Sequence, residues 1–196
     1  MNNDIFKLKE LETLVGHRFN DPNVLKQALT HASLERSSWN VYERLEFLGD
    51  RVLGLVVSET LLKRFPNERE GQISRRYAIL VKRDSLAVVA RKIKFGNYLL
   101  ISTGEEAAGA RESVTILSDA LEAVIGALYW DGGLEVARQF ILEHWEPLLA
   151  LAEEPPVDSK TALQEWAQRR QYALPEYKVI SQEAVSYTHL RAHAPV

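Results

Sequence analysis

The stretch that decides the fold is YERLEFLGDRVLGL, residues 42–55. Its apolar residues point in almost every direction around a helix, which is typical of a helix buried in a core. Glu43, Glu46 and Asp50 nevertheless follow one another at intervals of three and four residues, so they share one face of that helix. Like charges at this spacing repel, and a buried carboxylate without a partner is costly. A positive group is therefore expected beside these acids.

A second stretch, ILSDALEAVIGALYW at residues 116–130, repeats this combination of acids and apolar residues. Asp119 and Glu122 are three residues apart and share a face of the helix. Gly126 continues that face one turn later, and Gly54 takes the corresponding place in the first stretch. Glycines at these two positions predict that two core helices approach closely and direct their carboxylates into one pocket.

A pocket of four carboxylates predicts a bound cation. The chain has no cysteine, and none of its five histidines lies in either stretch. Oxygen ligands alone favour Mg²⁺, with Mn²⁺ as a substitute, over zinc. Such a cluster with a divalent metal is typical of sites where water attacks a phosphodiester in line. A single pair of acids at this spacing is more often a solvated helix face, but two pairs inside apolar helices favour the metal site.

The composition predicts a protein without a membrane span. The chain has 196 residues, 46% of them hydrophobic, but its uninterrupted apolar runs are only a few residues long. The first residues, MNNDIFKLKELE, lack the apolar segment of a signal peptide. We therefore expect a cytoplasmic location.

The net charge of −3 taken alone argues against a nucleic-acid-binding protein, but the charges are unevenly distributed. Residues 75–94 contain seven basic side chains and one acidic side chain, Asp84. This basic stretch is either an ordinary solvated helix face or a surface that binds phosphates.

The order of patterns predicts two domains. Residues 1–151 form an all-α domain in which NEREGQ, residues 67–72, is a polar turn before a helix from about Ser74, and residues 94–113 are irregular. Residues 152–158 carry two adjacent prolines and form a linker. Residues 159–183 contain a helix and a short strand near Tyr177, the start of an α+β unit, and residues 184–196 are an atypical tail.

These motifs, taken in order, resemble those of bacterial ribonuclease III, an endonuclease specific for double-stranded RNA. The resemblance covers about residues 8–183. It implies an all-α nuclease domain with the ribonuclease III fold that forms a homodimer, followed by the start of an α+β double-stranded-RNA-binding domain that is truncated here. The matching segments are LTHAS, ERLEFLGDRVL, FPNEREGQIS and ILSDALEAVIGALYWDGG.

The resemblance also implies roles for the acids. Glu46, Asp119 and Glu122 match the metal-binding carboxylates of the family, and Asp50 matches the remaining acid of its catalytic quartet. Asp50 and Glu122 are therefore the expected catalytic residues. Two further acids, Glu43 and Glu70, match supporting positions in the active-site valley.

Further positions match surfaces that contact partners in the family. Phe47 matches an aromatic residue that projects into the partner subunit, although ordinary core packing is an alternative interpretation. Thr161, Gln164 and Glu165 match a helix face that touches the minor groove of duplex RNA, where polar side chains suit ribose hydroxyls. A solvated helix face remains the alternative for these three.

The activity that the resemblance implies is hydrolysis of double-stranded RNA with a divalent metal. The products would carry 5'-phosphate and 3'-hydroxyl ends, and the substrates would include ribosomal RNA precursors and other structured transcripts. The expected partners are double-stranded RNA and a second copy of the chain, with no membrane and no small-molecule cofactor. The alternative is a non-catalytic duplex-RNA-binding protein on the same fold.

Overall fold

The computed structural model describes residues 2–34, 41–152 and 159–177. These residues are predominantly helical, which confirms the predicted all-α class. Between the main helices lie three short 3-10 helices, Ala32–Leu34, Phe95–Tyr98 and Ala110–Glu112. The α-helices are α1 (Asn2–Val15), α2 (Pro22–Leu29), α3 (Val41–Arg64), α4 (Glu70–Leu80), α5 (Arg83–Lys92), α6 (Thr103–Ala107), α7 (Val114–Leu151) and α8 (Ser159–Arg169).

The first two helices have the boundaries that their sequence signals indicate. α1 ends before Gly16, whose φ of +69° lies in the left-handed region that favours glycine. α2 begins after Asp21, whose side chain accepts a hydrogen bond from the Asn23 N–H, with Pro22 in the first turn.

Two segments are more helical than the sequence predicts. α4 begins at Glu70, so the expected turn at residues 67–72 is partly wrong. The Gln72 side chain accepts a hydrogen bond from the Arg69 N–H at 3.1 Å, and this cap starts the helix despite Gly71. Residues 94–113 are likewise not irregular, because α6 and two 3-10 helices order them.

The two acid-bearing helices pack directly against each other in the core, α3 against α7. A Cβ on Gly49 would lie 1.8 Å from the Glu122 carbonyl oxygen, and a Cβ on Gly126 would lie 2.1 Å from the Leu45 carbonyl oxygen. The backbones therefore touch where neither glycine has a side chain. The prediction for Gly126 is confirmed, but that for Gly54 is wrong, because Gly54 instead makes room for the hydroxyl of Tyr77.

α3 is not buried all round. Its exposed apolar residues Phe47, Leu55 and Leu62 lie on one side of the helix together with Arg51. Leu53, Val56 and Leu61, which point away from this side, are fully buried. The apolar composition of the stretch therefore reflects two surfaces, the core of this chain and an uncovered face.

α7 is interrupted near the predicted glycine pair. Gly133 has φ +81° and ψ −177°, so two helical segments meet there. Just before the break, the Asp131 carboxylate accepts hydrogen bonds from the backbone N–H groups of Asn20 and Asp21 at 2.9 and 3.1 Å. It also lies 2.8 Å from Nε2 of His17. These contacts hold the segment between α1 and α2 against the break.

Arg76 ties α4 to the end of α7. The guanidinium is almost fully buried, lies over the ring of Phe65 at 3.7 Å and donates from Nε to Glu68 at 2.7 Å. It also donates to the carbonyl oxygen of Ala152. Arg76 is therefore part of the core, and it drops out of the basic surface predicted for residues 75–94.

The chain divides into two compact units, Met1–Pro155 and Pro156–Val196. In the second unit, Trp166 of α8 lies against Tyr172 with ring centroids 5.5 Å apart, and the Tyr172 N–H donates to the Ala167 carbonyl. The predicted linker 152–158 lies outside the described residues except for Ala152. The strand predicted near Tyr177 and the tail 184–196 also lie outside them, except for Tyr177 itself. No helix among the described residues is long and apolar enough to cross a membrane.

Candidate active site

Three carboxylates from two helices converge beside the glycine contact. Glu46 extends from α3, and Asp119 and Glu122 extend from α7. One oxygen of each lies within 4.8 Å of the others. The backbone contact at Gly49 and Gly126 brings the helices close enough for this convergence. The structure thus brings together the three residues that were predicted to bind metal.

Burial and mutual repulsion disfavour the charged forms of two of the three acids, Glu46 and Glu122. Burial, followed by repulsion from Asp119 and Glu46, raises the pKa of Glu122 to about 7. Burial, followed by repulsion from Asp119 and Glu43, also raises the pKa of Glu46. The same carboxylates add to burial in raising the pKa of the Tyr42 phenol. The pocket is therefore short of positive charge.

The remaining predicted acids do not join the group of three, so the expected pocket of four converging carboxylates is a pocket of three. Asp50 lies one turn beyond Glu46 on α3, and its carboxylate accepts a hydrogen bond from the neighbouring Arg51. Glu43 is exposed one turn before Glu46. Glu70 is exposed in the first turn of α4 and accepts a hydrogen bond from the Ser74 hydroxyl at 2.6 Å.

The donor set fits a divalent cation that prefers oxygen. All three converging groups are carboxylates, and the raised pKa values of Glu46 and Glu122 show that a positive charge would relieve their repulsion. Mg²⁺ and Mn²⁺ both accept such ligands. Glu46, Asp119 and Glu122 are therefore the residues that would hold the ion.

Two residues near the cluster received no individual role in the site from the sequence. Arg83, at the start of α5, places its Nε 3.9 Å from Oδ1 of Asp119. The hydroxyl of Ser118 is buried, 2.9 Å from the Thr115 carbonyl oxygen and 3.2 Å from Oδ1 of Asp119. Spacing along the chain does not indicate the contact of Arg83 with Asp119, because α5 and α7 are brought together only by the fold. The adjacency of Ser118 to Asp119 was the only signal for the serine.

Phe47 lies beside an apolar groove at the surface. It is 63% exposed, and Trp130, which also lines the groove, is 69% exposed. The Arg51 guanidinium lies over the ring of Phe47 at 4.7 Å. Phe47 is thus not part of the core of its own chain. The groove is lined by Val24, Gln27, Val41, Glu43, Arg44, Leu45, Phe47, Leu48 and Trp130.

The predicted RNA-contacting face lies on α8. Gln164 is exposed on this helix. Thr161 and Glu165 belong to the same helix, but their side chains lie outside the described part of the structure. The proposed contact of this face with RNA therefore stays a prediction.

Without metal, the free energy of unfolding should fall as the pH rises from about 4.5 to about 7. Across this window folded Glu122 keeps a proton that the unfolded chain has lost, because its pKa is raised from 4.5 to about 7. Glu122→Gln should flatten this dependence. Melting temperatures in EDTA across the window measure the effect, and equal pH slopes for wild type and variant would contradict it.

Comparisons with known proteins identify the family of this fold. A Ribonuclease-III-like family model matches residues 21–148. Ribonuclease 3 of Anaplasma phagocytophilum is 47% identical over 182 residues, which are 92% of this chain and 75% of that protein. Ribonuclease 3 of Cereibacter sphaeroides (strain ATCC 17029 / ATH 2.4.9) is 42% identical over 96% of this chain and 80% of that protein.

Solved structures give the same result. The nuclease domain of ribonuclease III from Campylobacter jejuni has a TM-score of 0.66 and 42% identity, over 79% of this chain and 98% of that one. A second structure of that domain, which concerns flexibility in a region involved in dimer formation, has a TM-score of 0.65 over 71% of this chain and 97% of that one. The fold is that of a ribonuclease III nuclease domain. The chain belongs to the ribonuclease III family and is an endoribonuclease.

Proposed function

We propose that this protein hydrolyses phosphodiester bonds of double-stranded RNA with a divalent metal, and that it leaves 5'-phosphate and 3'-hydroxyl ends. The observation that carries the proposal is the convergence of the Glu46, Asp119 and Glu122 carboxylates within 4.8 Å in a chain of this family. Mg²⁺ is the proposed ion, and Mn²⁺ is its substitute. Ribosomal RNA precursors and other structured transcripts in the cytoplasm are the proposed substrates.

The residues of the site have different roles in the proposed reaction. Glu46, Asp119 and Glu122 bind the cation, which would supply an activated water and stabilise negative charge on the phosphate. Ser118 orients the Asp119 carboxylate through its hydroxyl. Asp50, half exposed beside the cluster, is proposed to complete the catalytic quartet together with Glu122. Glu43 and Glu70 are exposed acids that support the site from its edge.

The surface around the site supports an RNA substrate. Of the seven basic residues between 75 and 94, Lys82, Arg83, Arg91, Lys92 and Lys94 are exposed, whereas Arg76 is buried. Arg83, 3.9 Å from Asp119, places one of these cations beside the carboxylates. Exposed cations suit a phosphate backbone, and binding through them should weaken steeply with salt. Gln164 on α8, with Thr161 and Glu165, is proposed to add contacts to ribose hydroxyls.

Incubation of the protein with long duplex RNA tests the activity directly. Shortened products should form with Mg²⁺ and should not form with EDTA, whereas single-stranded RNA of the same sequence should persist. A duplex that is retarded on a native gel but keeps its length would instead support the alternative, a non-catalytic duplex-RNA-binding protein. Ligation that depends on a 5'-phosphate identifies the ends.

We further propose that the protein acts as a homodimer through the apolar groove beside Phe47. One active site per subunit would then cut one strand of the duplex. The exposure of Phe47 and Trp130 supports an interface, because large apolar side chains beside a groove commonly mark one. The related Campylobacter jejuni nuclease domain has a region involved in dimer formation.

Phe47→Ala should shift the protein from dimer to monomer. If the ring is buried in the partner, its loss costs about 3–5 kcal/mol, and a two-fold interface incurs that loss twice. Sedimentation velocity measures the shift. Val88→Ala, which removes an exposed apolar group from α5, is the control and should stay dimeric. A Phe47 variant as dimeric as this control would exclude the groove as the interface.

A further inference from the structure

Arg83 occupies a position that other cations of the basic stretch do not share. It is the first residue of α5, and the buried face of that helix, which includes Leu86 and Ala90, packs in the core. The packing places the guanidinium 3.9 Å from Asp119, while most of the side chain stays exposed. The neighbouring Lys82 instead pairs with Asp84, at 3.4 Å.

The charge of Arg83 acts on the whole cluster. It lowers the pKa of both Glu46 and Glu122, in opposition to the burial and repulsion that raise them. Among the described residues, Arg83 is the cation that forms an ion pair with one of the three converging acids. It therefore supplies part of the positive charge that the metal-free pocket lacks.

The ion pair of Arg83 is loose. The 3.9 Å between Arg83 Nε and Asp119 Oδ1 is longer than a hydrogen bond. By comparison, Arg111 donates to the Gly96 and Leu99 carbonyls at 2.7 and 3.0 Å. The guanidinium of Arg83 has no hydrogen bond within the described residues, so its donors are available to another acceptor. Guanidinium groups bind phosphate in a two-pronged geometry that lysine cannot reproduce.

We propose that Arg83 is a phosphate-contacting residue of the site, which rests against Asp119 when RNA is absent and exchanges that carboxylate for a backbone phosphate when RNA binds. This inference rests on the proposed function. It has two consequences of opposite sign. Arg83 should weaken the binding of a divalent cation, because it occupies the same carboxylates, and it should strengthen the binding of RNA, because it contacts the strand beside them.

The test compares Arg83→Gln with Lys82→Gln, which removes a neighbouring positive charge that is not directed at the cluster. Titration calorimetry with Mg²⁺ alone should show the dissociation constant of Arg83→Gln lowered by about 2–5-fold, since unit charges at this range interact weakly in a solvated site. Lys82→Gln should leave it within about 1.5-fold of wild type.

Duplex-RNA affinity is measured with both substitutions in a Glu122→Gln background, so that the RNA is not cut. Arg83→Gln should weaken binding about 10-fold or more. It should also reduce the slope of log affinity against log salt concentration by the amount that one phosphate contact contributes, about one unit. Lys82→Gln should produce a clearly smaller loss. Arg83→Lys should keep the salt dependence but recover only part of the affinity, because a lysine ammonium cannot make the bidentate contact of a guanidinium with phosphate.

Equal RNA affinities for the Arg83→Gln and Lys82→Gln proteins would overturn the phosphate contact and leave Arg83 as a counter-ion only. Unchanged Mg²⁺ affinity in Arg83→Gln would overturn the exchange with Asp119. Both results are distinct from failure of the proposed function, which would appear as wild-type protein that leaves duplex RNA uncut in Mg²⁺.

Discussion

Glu122→Gln should abolish nearly all cleavage of duplex RNA while the protein stays folded and still binds its substrate. Glu122 is one of three carboxylates within 4.8 Å, and the amide keeps its shape but removes its charge. A metal contributes several kcal/mol of charge stabilisation in the transition state, and a loss of about 4 kcal/mol slows a reaction about 10³-fold. Single-turnover cleavage at saturating Mg²⁺ measures the loss.

The control for this experiment is Glu112→Gln, which removes an exposed carboxylate paired with Arg91 on the same unit. It should cut RNA at nearly the wild-type rate. Binding of uncut duplex by Glu122→Gln shows that the loss lies in the chemical step. Near-normal cleavage by Glu122→Gln would show that the acid cluster is not the active site, and it would leave the description of the fold unchanged.

Gly49→Ala should destabilise the nuclease unit severely. The new methyl group would lie 1.8 Å from the Glu122 carbonyl oxygen, and no side-chain rotation relieves a contact between two backbones. Overpacking usually costs about 1–3 kcal/mol and sometimes more, and we expect at least about 3 kcal/mol here because both helices must separate. Gly126→Ala should behave alike, since its methyl would meet Leu45 at 2.1 Å.

Urea unfolding measures this loss, with Gly104→Ala as the matched control. Gly104 lies in α6, and an added Cβ there meets no atom within 4 Å. That change should be neutral or stabilising by about 0.4–1 kcal/mol. The rise in melting temperature on addition of Mg²⁺ should also shrink in Gly49→Ala, because separated helices no longer hold three ligands together. A Gly49→Ala protein as stable as the control would contradict the packing.

The sequence predicts the acid cluster because the spacing within each helix decides which side chains share a face. Spacing alone puts Glu43, Glu46 and Asp50 on one helix face and Asp119 and Glu122 on another, whereas only the resemblance to the family singles out Glu46 as the partner of that pair. The register between the helices is a different matter, because it depends on which glycines meet. Gly54 satisfies the same local pattern as Gly49, but only the fold shows that Gly49 faces α7.

The basic stretch shows the same contrast between what the local sequence predicts and what the tertiary structure decides. Seven cations within residues 75–94 predict a charged surface, yet Arg76 is buried because the turn before α4 brings Glu68 against it. Arg83 remains at the surface, but its approach to Asp119 depends on how α5 packs against α7. Local composition predicts charge, whereas the partner of each charge is a property of the tertiary structure.

The break at Gly133 has a mechanical consequence. The segment of α7 after the break is fastened to α4 by the Trp145 indole, which donates to the Leu80 carbonyl, and by Arg76, which donates to Ala152. Tension applied to the chain at Ala152 would therefore be shared between this segment and α4. Because the helix is not continuous through Gly133, it cannot act as a rigid lever that pulls on the catalytic carboxylates. We therefore expect a force applied at that end of the unit to have little effect on the positions of the catalytic carboxylates.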